Sequence, residues 1–476
     1  MKKYKGFHTI IAFCVVICML ATTVFAQTEP SVLEETVQAD ASVYGCFSMD
    51  ATEAFLGDKQ LVKNAKSVFL YELNTQTLMY AWEADQALIP SSFVKILTAI
   101  VAIENGALDS AVTVSESAVS DLPLGAVSAK LQVSEVLTLQ DLLYCMMVGS
   151  ANDAATVIAE HISGSEYEFT KLMNEYASRI GCTGSHFVNA HGLEDESQYT
   201  TARDTAKILA YAMQNETFRN IFEAKEYTVP ATNKSAERNL ITGNYMMSTH
   251  EVQIYFDERV AGGRTGVAND GARSLATIAR SGQMELLCVV MGAASVYEES
   301  GNKIRSFGGY NETKTMLDSG FEGYTAAQIL YDGQALTYFE IGNGDSLLSV
   351  GPHATLSTVL PVKLDRTELT FRYSDEIRKL TAPIRAGDRV CNVEIWYKDL
   401  CLAVTDLYAM NDVRDSSAIS ADAPKQTSIA GWIVALCILI VLGFGGYYFL
   451  RTPKGKRFLF KIRRRIRKRN KPKRSK

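Results

Sequence analysis

The sequence predicts an α+β domain in which two groups of β-strands enclose a helical insert. Residues 67–73 and 78–82 are apolar runs separated by a short polar turn, which is the pattern of a β-hairpin. Helical periodicity dominates 134–222, and strand-like apolar runs return at 273–280 and 284–293. Strand regions on both sides of a helical segment favour one mixed domain.

A second, smaller domain is predicted further along the chain. Residues 330–412 alternate apolar and polar positions between turn residues, as in ELTFRY at 368–373 and RVCNVEIWY at 389–397, so we expect a β-rich domain. The complete predicted plan is a signal peptide at 1–26, an acidic leader at 27–62, the mixed domain at 63–326, the β-rich domain at 327–411, a polar linker at 412–427, a transmembrane helix at 428–450 and a basic tail at 451–476.

The N-terminus has the pattern of a secretory signal. Three lysines precede an apolar run at 10–20, and Val24-Phe25-Ala26 then supplies small residues at a cleavage position. The apolar run is too short to span a bilayer. We therefore expect the protein to be exported.

The C-terminus carries an uncharged apolar stretch at 429–450, which is long enough to cross a membrane with some tilt. Residues 451–476 then contain 15 Lys and Arg and no acid. A basic tail can bind nucleic acid, but directly after a spanning helix the positive-inside rule is the better explanation. We expect a single-pass protein in the cell membrane, with its bulk outside and the tail in the cytoplasm.

The charge of the outer part excludes some partners. All 53 acids lie in 27–450 with 30 of the 48 basic residues, which gives this part a net charge of about −23. Such a surface does not favour nucleic acid or an anionic lipid face.

Cysteine and histidine patterns do not predict a metal site. No C-x-x-C pair or H-E-x-x-H sequence occurs, and we expect neither a metal nor a cofactor. A domain of this size needs no disulfide framework, although Cys391 and Cys401 could pair across a hairpin.

The stretch IPSSFVKILTAIVAIENG at 89–106 predicts a buried helix with a lysine in its first turn. One interpretation is structural: the serines cap the helix and Lys95 extends to water. The other is catalytic, because residues i and i+3 share a helix face and a buried lysine with a lowered pKa can take the Ser92 proton. A second Ser-x-x-Lys sequence at 300–303, in a polar stretch, shows how little the pattern means alone.

Two further clusters bear on this choice. Ser150 and Asn152 lie at a junction between two predicted helices, and Gly262-Gly263-Arg264-Thr265-Gly266 opens a predicted strand where glycines permit close approach of a ligand backbone. Taken singly, the first is a common tripeptide and the second an ordinary glycine hairpin.

Together, in this order, the clusters resemble the S-x-x-K, S-x-N and K-T-G motifs of the penicillin-recognising serine peptidases, and most closely the low-molecular-weight D-alanyl-D-alanine carboxypeptidases. Residues 169–213, with His191-Gly192-Leu193, and MLDSGFEGY at 316–324 are similar to further family segments. The resemblance covers about 65–410. It implies a β-lactamase/transpeptidase-like domain, an antiparallel sheet flanked by helices, followed by a small β-rich domain and a C-terminal membrane anchor.

The resemblance also implies catalytic roles. Ser92 would be the nucleophile that forms an acyl-ester, near a helix N-terminus whose dipole favours developing negative charge. Lys95 would be the general base, and the Ser150 hydroxyl would relay a proton to the leaving amine. The family segment containing His191 is assigned to structure and not to a Ser/His/Asp triad.

Substrate-binding roles follow from the same resemblance: Asn152 would hold the substrate amide, and Arg264 and Thr265 would bind the terminal carboxylate. Gly266 would belong to the same substrate-binding strand, and the N–H of Val267, the residue just past Arg-Thr-Gly, would form the oxyanion hole with that of Ser92. The family usually has lysine where this chain has Arg264. Arginine also supplies positive charge, because its planar guanidinium group stays protonated. The segment 239–260 also matches the family poorly.

The expected function is a membrane-anchored serine D-alanyl-D-alanine carboxypeptidase that acts on peptidoglycan stem pentapeptides and is inhibited by β-lactams. Three alternatives stay open at this point: a β-lactamase or a D,D-endopeptidase on the same fold, and a non-catalytic wall-binding protein. The β-lactamase would need a carboxylate that activates the deacylating water, and no E-x-x-L-N pattern occurs between Asn152 and Arg264.

Overall fold

The computed structural model describes residues 43–45 and 48–417, with short gaps at 58, 121, 124, 249–252 and 298–303, and most of 436–469. The predicted signal peptide, most of the linker and the second Ser-x-x-Lys sequence lie outside the described residues. The predicted transmembrane segment is described only in part.

The strands are numbered along the chain: β1 Val43–Gly45, β2 Ser67–Glu72, β3 Thr77–Trp82, β4 Ala111–Thr113, β5 Val136–Thr138, β6 Glu226–Val229, β7 Arg238–Ile241, β8 Val260–Val267, β9 Arg273–Ser281, β10 Met284–Ala293, β11 Val296–Tyr297, β12 Ile304–Ser306, β13 Tyr324–Leu330, β14 Thr337–Phe339, β15 Leu348–Gly351, β16 Leu356–Pro361, β17 Leu369–Tyr373, β18 Arg389–Tyr397 and β19 Leu400–Ala409.

The α-helices are α1 Val94–Asn105, α2 Ser117–Ser120, α3 Leu139–Met147, α4 Asn152–Ser163, α5 Glu166–Ile180, α6 Ala202–Ala212, α7 Glu216–Phe222, α8 Gly308–Phe321 and α9 Pro453–Arg469. Short 3-10 turns lie at Ser91–Phe93, Gln253–Tyr255, Arg366–Glu368 and Asp375–Lys379.

The mixed α/β domain is built on a five-stranded antiparallel sheet in the order β3-β2-β10-β9-β8. The predicted hairpin, the helical insert and the two later strands are all confirmed. Strand β8, which contains the Gly-Gly-Arg-Thr-Gly sequence, is an edge of this sheet. One of its sides is therefore available to a backbone outside the sheet.

Helices cover both faces of the sheet. Leu70 and Leu286 face α8, where a side chain on Gly320 would collide with both of them. The guanidinium of Arg203 on α6 lies 5.3 Å from the centre of the Phe69 ring, on the opposite face. Adjacent strand residues point to opposite faces, so the sheet is the middle layer of the domain. Helix α1 is buried in the helical layer, as its continuous apolar sequence predicts.

Part of the segment predicted as a leader packs on this domain. Phe55 and Leu56 are buried, and their N–H groups donate to the carbonyls of Leu78 and Met79 at 2.8 and 2.9 Å. Strand β1 pairs with β19 of the smaller domain. Such short apolar contacts leave no periodicity in the sequence, so these residues were indistinguishable from a polar leader.

The smaller domain is β-rich, as expected. Its main sheet has the order β14-β15-β19-β18-β17, with β1 also on β19, and strands β13 and β16 form a separate pair. Cys391 lies opposite Leu407, and Cys401 lies opposite Trp396. Both thiols are free, so the disulfide left open above is not formed.

Among the described residues, no helix is both long and apolar enough to cross a membrane. Helix α9 lies in the basic tail that follows the apolar stretch.

Candidate active site

Ser92 lies in a short 3-10 turn that leads directly into α1. Pro90 precedes the turn, and Ser91 has a φ of 47°, in the left-handed region that non-glycine residues rarely adopt. Such strain is maintained only where surrounding contacts impose it. Among the described residues, no side-chain hydrogen bond engages the Ser92 hydroxyl, which leaves it available for reaction.

Two glycines allow other segments to approach this turn. A Cβ on Gly192 would lie 1.9 Å from the Ser91 carbonyl oxygen, and Gly192 also has a φ of +81°. A Cβ on Gly266 of strand β8 would lie 3.2 Å from Ser91 Cβ and 3.6 Å from Ser92 N. The turn is therefore held between the loop at Gly192 and the edge strand of the sheet.

Lys95 is the second residue of α1 and has no exposed surface. Its Nζ donates to Asn152 Oδ1 at 2.7 Å and to the backbone carbonyl of His191. Burial and the nearby Arg264 charge hold the pKa of Lys95 well below its usual value, opposed in part by Asp153. Because burial disfavours the ammonium form, this amine is suited to accept a proton.

The junction between α3 and α4 carries Ser150 and Asn152, as predicted. Ser150 has a φ of 62°, and Asn152 is the buried first residue of α4. The strained backbone at Ser150 turns its hydroxyl toward Arg264, whose Nη2 donates to Ser150 Oγ at 2.6 Å. The Asn152 side chain accepts a hydrogen bond from Lys95.

Arg264 is buried on β8 and spans the site. Its Nε donates to the Ser92 carbonyl at 3.3 Å, its Nη1 to the Met147 carbonyl at 2.7 Å and its Nη2 to Ser150 Oγ. Burial lowers the pKa of Arg264 to about 10, so the guanidinium stays charged at neutral pH. The cation thus connects the serine turn, the end of α3 and the second serine.

The remaining predicted binding residues continue along β8. Thr265 pairs with Leu275, Gly266 with Ser274 and Val267 with Arg273 on the neighbouring strand. Val267 is 52 % exposed at the end of the strand, so its surroundings are open to a ligand. The fold thus joins Arg264 to Ser92 and Ser150, and Lys95 to Asn152, by hydrogen bonds. Arg264 lies near enough to Lys95 to lower its pKa, and Gly266 lies beside the Ser92 turn.

Three contributors to this site were missed by the sequence reasoning. The His191 carbonyl accepts from Lys95, Asp153 acts to raise the pKa of Lys95, and Glu166 contacts the loop that carries His191. Burial and Lys95 lower the pKa of His191 to about 4, so its ring is neutral at pH 7. In the sequence, only His191-Gly192-Leu193 pointed to this loop. That segment was interpreted as structural, and not as a contact of Lys95.

The arrangement can perform nucleophilic catalysis with a lysine base. The Ser92 hydroxyl lies on the turn before the buried amine of Lys95, and the Ser150 hydroxyl is hydrogen-bonded to the Arg264 cation. The edge strand β8 lies beside both hydroxyl groups. In the part of the chain that the structure describes, no group of three or more His, Cys, Asp and Glu residues could hold a metal.

Comparisons with known proteins agree with this geometry. The sequence profile for D-alanyl-D-alanine carboxypeptidase matches residues 56–295, and the profile for the C-terminal domain of penicillin-binding protein 5 matches residues 324–415. D-alanyl-D-alanine carboxypeptidase DacD of Escherichia coli K12 is 27 % identical over 367 residues, which are 75 % of this chain and 89 % of the relative. D-alanyl-D-alanine carboxypeptidase DacF of Bacillus subtilis 168 is 26 % identical over 76 % of this chain and 89 % of the relative.

Solved structures give the same result. Penicillin-binding protein 5 from Haemophilus influenzae superposes with a TM-score of 0.61 at 26 % identity, covering 75 % of this chain and all of that one. The chain therefore belongs to the D-alanyl-D-alanine carboxypeptidase family, the serine-type peptidases among the low-molecular-weight penicillin-binding proteins.

Proposed function

We propose that this protein removes the terminal D-alanine from peptidoglycan stem pentapeptides through an acyl-enzyme on Ser92, while anchored to the cell membrane by its C-terminal segment. The observation that carries the proposal is the buried amine of Lys95, three residues after Ser92, whose charge is disfavoured by burial and by Arg264. A lowered pKa favours the neutral form of the amine, which is the form that can accept a proton.

In the acylation step, Ser92 Oγ attacks the carbonyl carbon of the scissile D-Ala-D-Ala bond while Lys95 Nζ takes the hydroxyl proton. The negative charge that develops on the carbonyl oxygen would be stabilised by the N–H groups of Ser92 and Val267. The proximity of Gly266 to Ser92 N supports this pairing of donors.

Collapse of the tetrahedral intermediate releases the terminal D-alanine, whose nitrogen must gain a proton. Ser150 is assigned to donate this proton to the leaving nitrogen. Lys95 then returns a proton to the Ser150 hydroxyl. Water then attacks the acyl-ester, with Lys95 again as base, and frees the shortened peptide and Ser92. No cofactor enters this sequence.

Arg264 is assigned to the terminal carboxylate of the substrate. A guanidinium has five N–H groups, and the three hydrogen bonds described above leave N–H groups on Nη1 and Nη2 for a ligand. Its charge survives burial at neutral pH, and burial strengthens its attraction for a carboxylate. Thr265, on the same edge strand, would hold the carboxylate from the side of the sheet.

The decisive experiment uses the full-length protein in detergent and a stem pentapeptide that ends in D-Ala-D-Ala. Mass spectrometry should detect loss of one alanine, and Ser92→Ala should stop it. An unchanged pentapeptide, or the same loss with Ser92→Ala, would refute the proposal. Parallel incubation with nitrocefin measures the β-lactamase alternative, because rapid turnover of nitrocefin without peptide cleavage would favour it.

A further inference from the structure

A carboxylate outside the proposed mechanism anchors the loop behind the base. Residues 189–193 carry the His191 carbonyl that accepts a hydrogen bond from Lys95 Nζ. On the same loop, Ala190 N–H donates to Glu166 Oε1 at 2.9 Å. Glu166 is the first residue of α5 and is only partly exposed, so it connects the start of that helix to the backbone beside the amine.

The same carboxylate faces the His191 ring. His191 Nδ1 accepts from Leu193 N–H at 3.1 Å, so the neutral ring carries its proton on Nε2. That nitrogen lies 3.6 Å from Glu166 Oε1. One carboxylate therefore contacts both the backbone and the ring of the segment that supplies the carbonyl.

Ala190 is held at both of its polar groups. Glu166 binds its N–H, and Thr98 Oγ1 of helix α1 donates to its carbonyl at 2.7 Å. These two bonds fix the residue that immediately precedes His191 and so restrict where the His191 carbonyl can lie. Its position relative to Lys95 is therefore set from two helices.

The position of that carbonyl matters because a neutral amine has two N–H groups and one lone pair. Lys95 Nζ uses its N–H groups on Asn152 Oδ1 and on the His191 carbonyl. The lone pair then occupies the one remaining direction, which is where it must accept the Ser92 proton. An amine that loses either acceptor can rotate, and its lone pair is then aligned for only part of the time.

We propose that Glu166 is a positioning residue for Lys95: by binding Ala190 N–H it holds the His191 carbonyl on the amine and so directs the lone pair. This role rests on the proposed function of the site. It differs from a catalytic role because Glu166 touches neither Ser92 nor the reacting atoms.

The test compares three full-length variants by their rate of acylation with a fluorescent penicillin. Glu166→Ala should slow acylation on the order of tenfold, since the carbonyl is no longer fixed. Glu166→Gln should stay within about threefold of the parent, since its amide oxygen still accepts from Ala190 N–H. Glu168→Ala is the matched control, because Glu168 lies in the same first turn of α5 and is exposed. Among the described residues, its carboxylate forms an ion pair with Lys171 alone, at 2.8 Å.

The pH dependence of acylation separates positioning from a general loss of structure. The titratable groups that interact with Lys95 are Arg264 on β8, Asp153 on α4 and the His191 ring, and none of them is substituted in these variants. A lost carbonyl acceptor destabilises the ammonium more than the amine, which lowers the pKa of Lys95 further. The acid limb of the profile should therefore move to lower pH in Glu166→Ala and stay in place in Glu168→Ala.

Equal rates and equal profiles for the parent and Glu166→Ala would overturn the inference, as would equal losses in the Ala and Gln variants. If the parent itself is not acylated, the proposed function fails, and amide hydrogen exchange of 189–193 then decides the inference alone. Faster exchange in Glu166→Ala than in Glu166→Gln supports it, and equal exchange refutes it.

If Glu166→Ala does not fold, Thr98→Val provides a second test, because it removes the other hydrogen bond that holds Ala190. This variant should also slow acylation, and a parental rate would refute the inference.

Discussion

Arg264 donates a 2.6 Å hydrogen bond from Nη2 to Ser150 Oγ, and this bond determines which way the serine proton can point. Every guanidinium nitrogen is a donor, so Ser150 Oγ must be the acceptor, and its own proton must point away from the arginine. A proton so directed is free to reach a leaving amine. A lysine at the same position could lose its own proton, whereas arginine does not exchange protons in this way.

The first prediction concerns the acyl-enzyme. Benzylpenicillin should attach covalently to Ser92 and leave slowly, because the remaining ring of the drug blocks the water that the small alanine product admits. Ser92→Ala should abolish attachment, as measured by intact-protein mass and by peptide mapping. The matched control is Ser300→Ala, in the second Ser-x-x-Lys sequence, which should be labelled like the parent. Labelling that persists in Ser92→Ala would assign the nucleophile elsewhere.

The second prediction concerns what Arg264 binds. Arg264→Ala should lose on the order of 10²-fold in kcat/KM, about 2.7 kcal/mol, the scale of one charge-assisted contact to a carboxylate. Arg264→Lys should keep activity because the charge is kept.

Amidation of the terminal D-alanine should therefore harm the parent much more than it harms Arg264→Ala. The cycle of mutant and amidated substrate measures the coupling between guanidinium and carboxylate directly. Equal losses on amidation would show that Arg264 does not contact the carboxylate.

The third prediction concerns pH. The Arg264 charge is one of the causes that lower the pKa of Lys95, so removing it in Arg264→Gln should raise that pKa. More of the base is then protonated at a given pH, and the acid limb of the acylation profile should move to higher pH. Arg264→Lys retains a cation and should keep the limb near its original position. An unmoved limb in Arg264→Gln would show that the two cations are not coupled.

The fourth prediction concerns the glycine behind the serine turn. Gly192→Ala should strongly reduce acylation, because its Cβ would meet the Ser91 carbonyl at 1.9 Å and displace the turn that carries Ser92. Gly164 has a similar φ of +79° with nothing within 4 Å, so Gly164→Ala carries the same backbone strain without the collision. That variant should be destabilised by about 1 kcal/mol, seen in thermal unfolding, with its acylation rate unchanged. Equal effects of the two variants on acylation would contradict the collision argument.

The fifth prediction concerns topology. Truncation before Thr427 should release an active, soluble protein, because the proposed membrane segment follows both outer domains. Protease added outside intact cells should leave only that segment and the basic tail protected, as the positive-inside rule requires. A protected catalytic domain would contradict the proposed orientation.

Local patterns in the sequence were sufficient for several main elements of the fold, although not for β1 or the packed residues of the predicted leader. The hairpin of β2 and β3, the apolar helix α1 and the strands β9 and β10 each follow from periodicity over a few residues. The same is true of the i, i+3 spacing of Ser92 and Lys95, which depends only on helix geometry. The order of the three motifs then carried the family resemblance.

The tertiary structure alone decided the chemical state of these groups. Burial and Arg264 lower the pKa of Lys95, and its amine is oriented by Asn152, 57 residues away, and by the His191 carbonyl, 96 residues away. Backbone carbonyls and distant charges leave no periodic trace in a sequence, because they act through space between segments that only folding brings together. For the same reason the Ser-x-x-Lys spacing alone was ambiguous: it places the amine near the hydroxyl, whereas only the folded structure shows that burial and Arg264 lower the pKa of this amine and that Asn152 and the His191 carbonyl orient it.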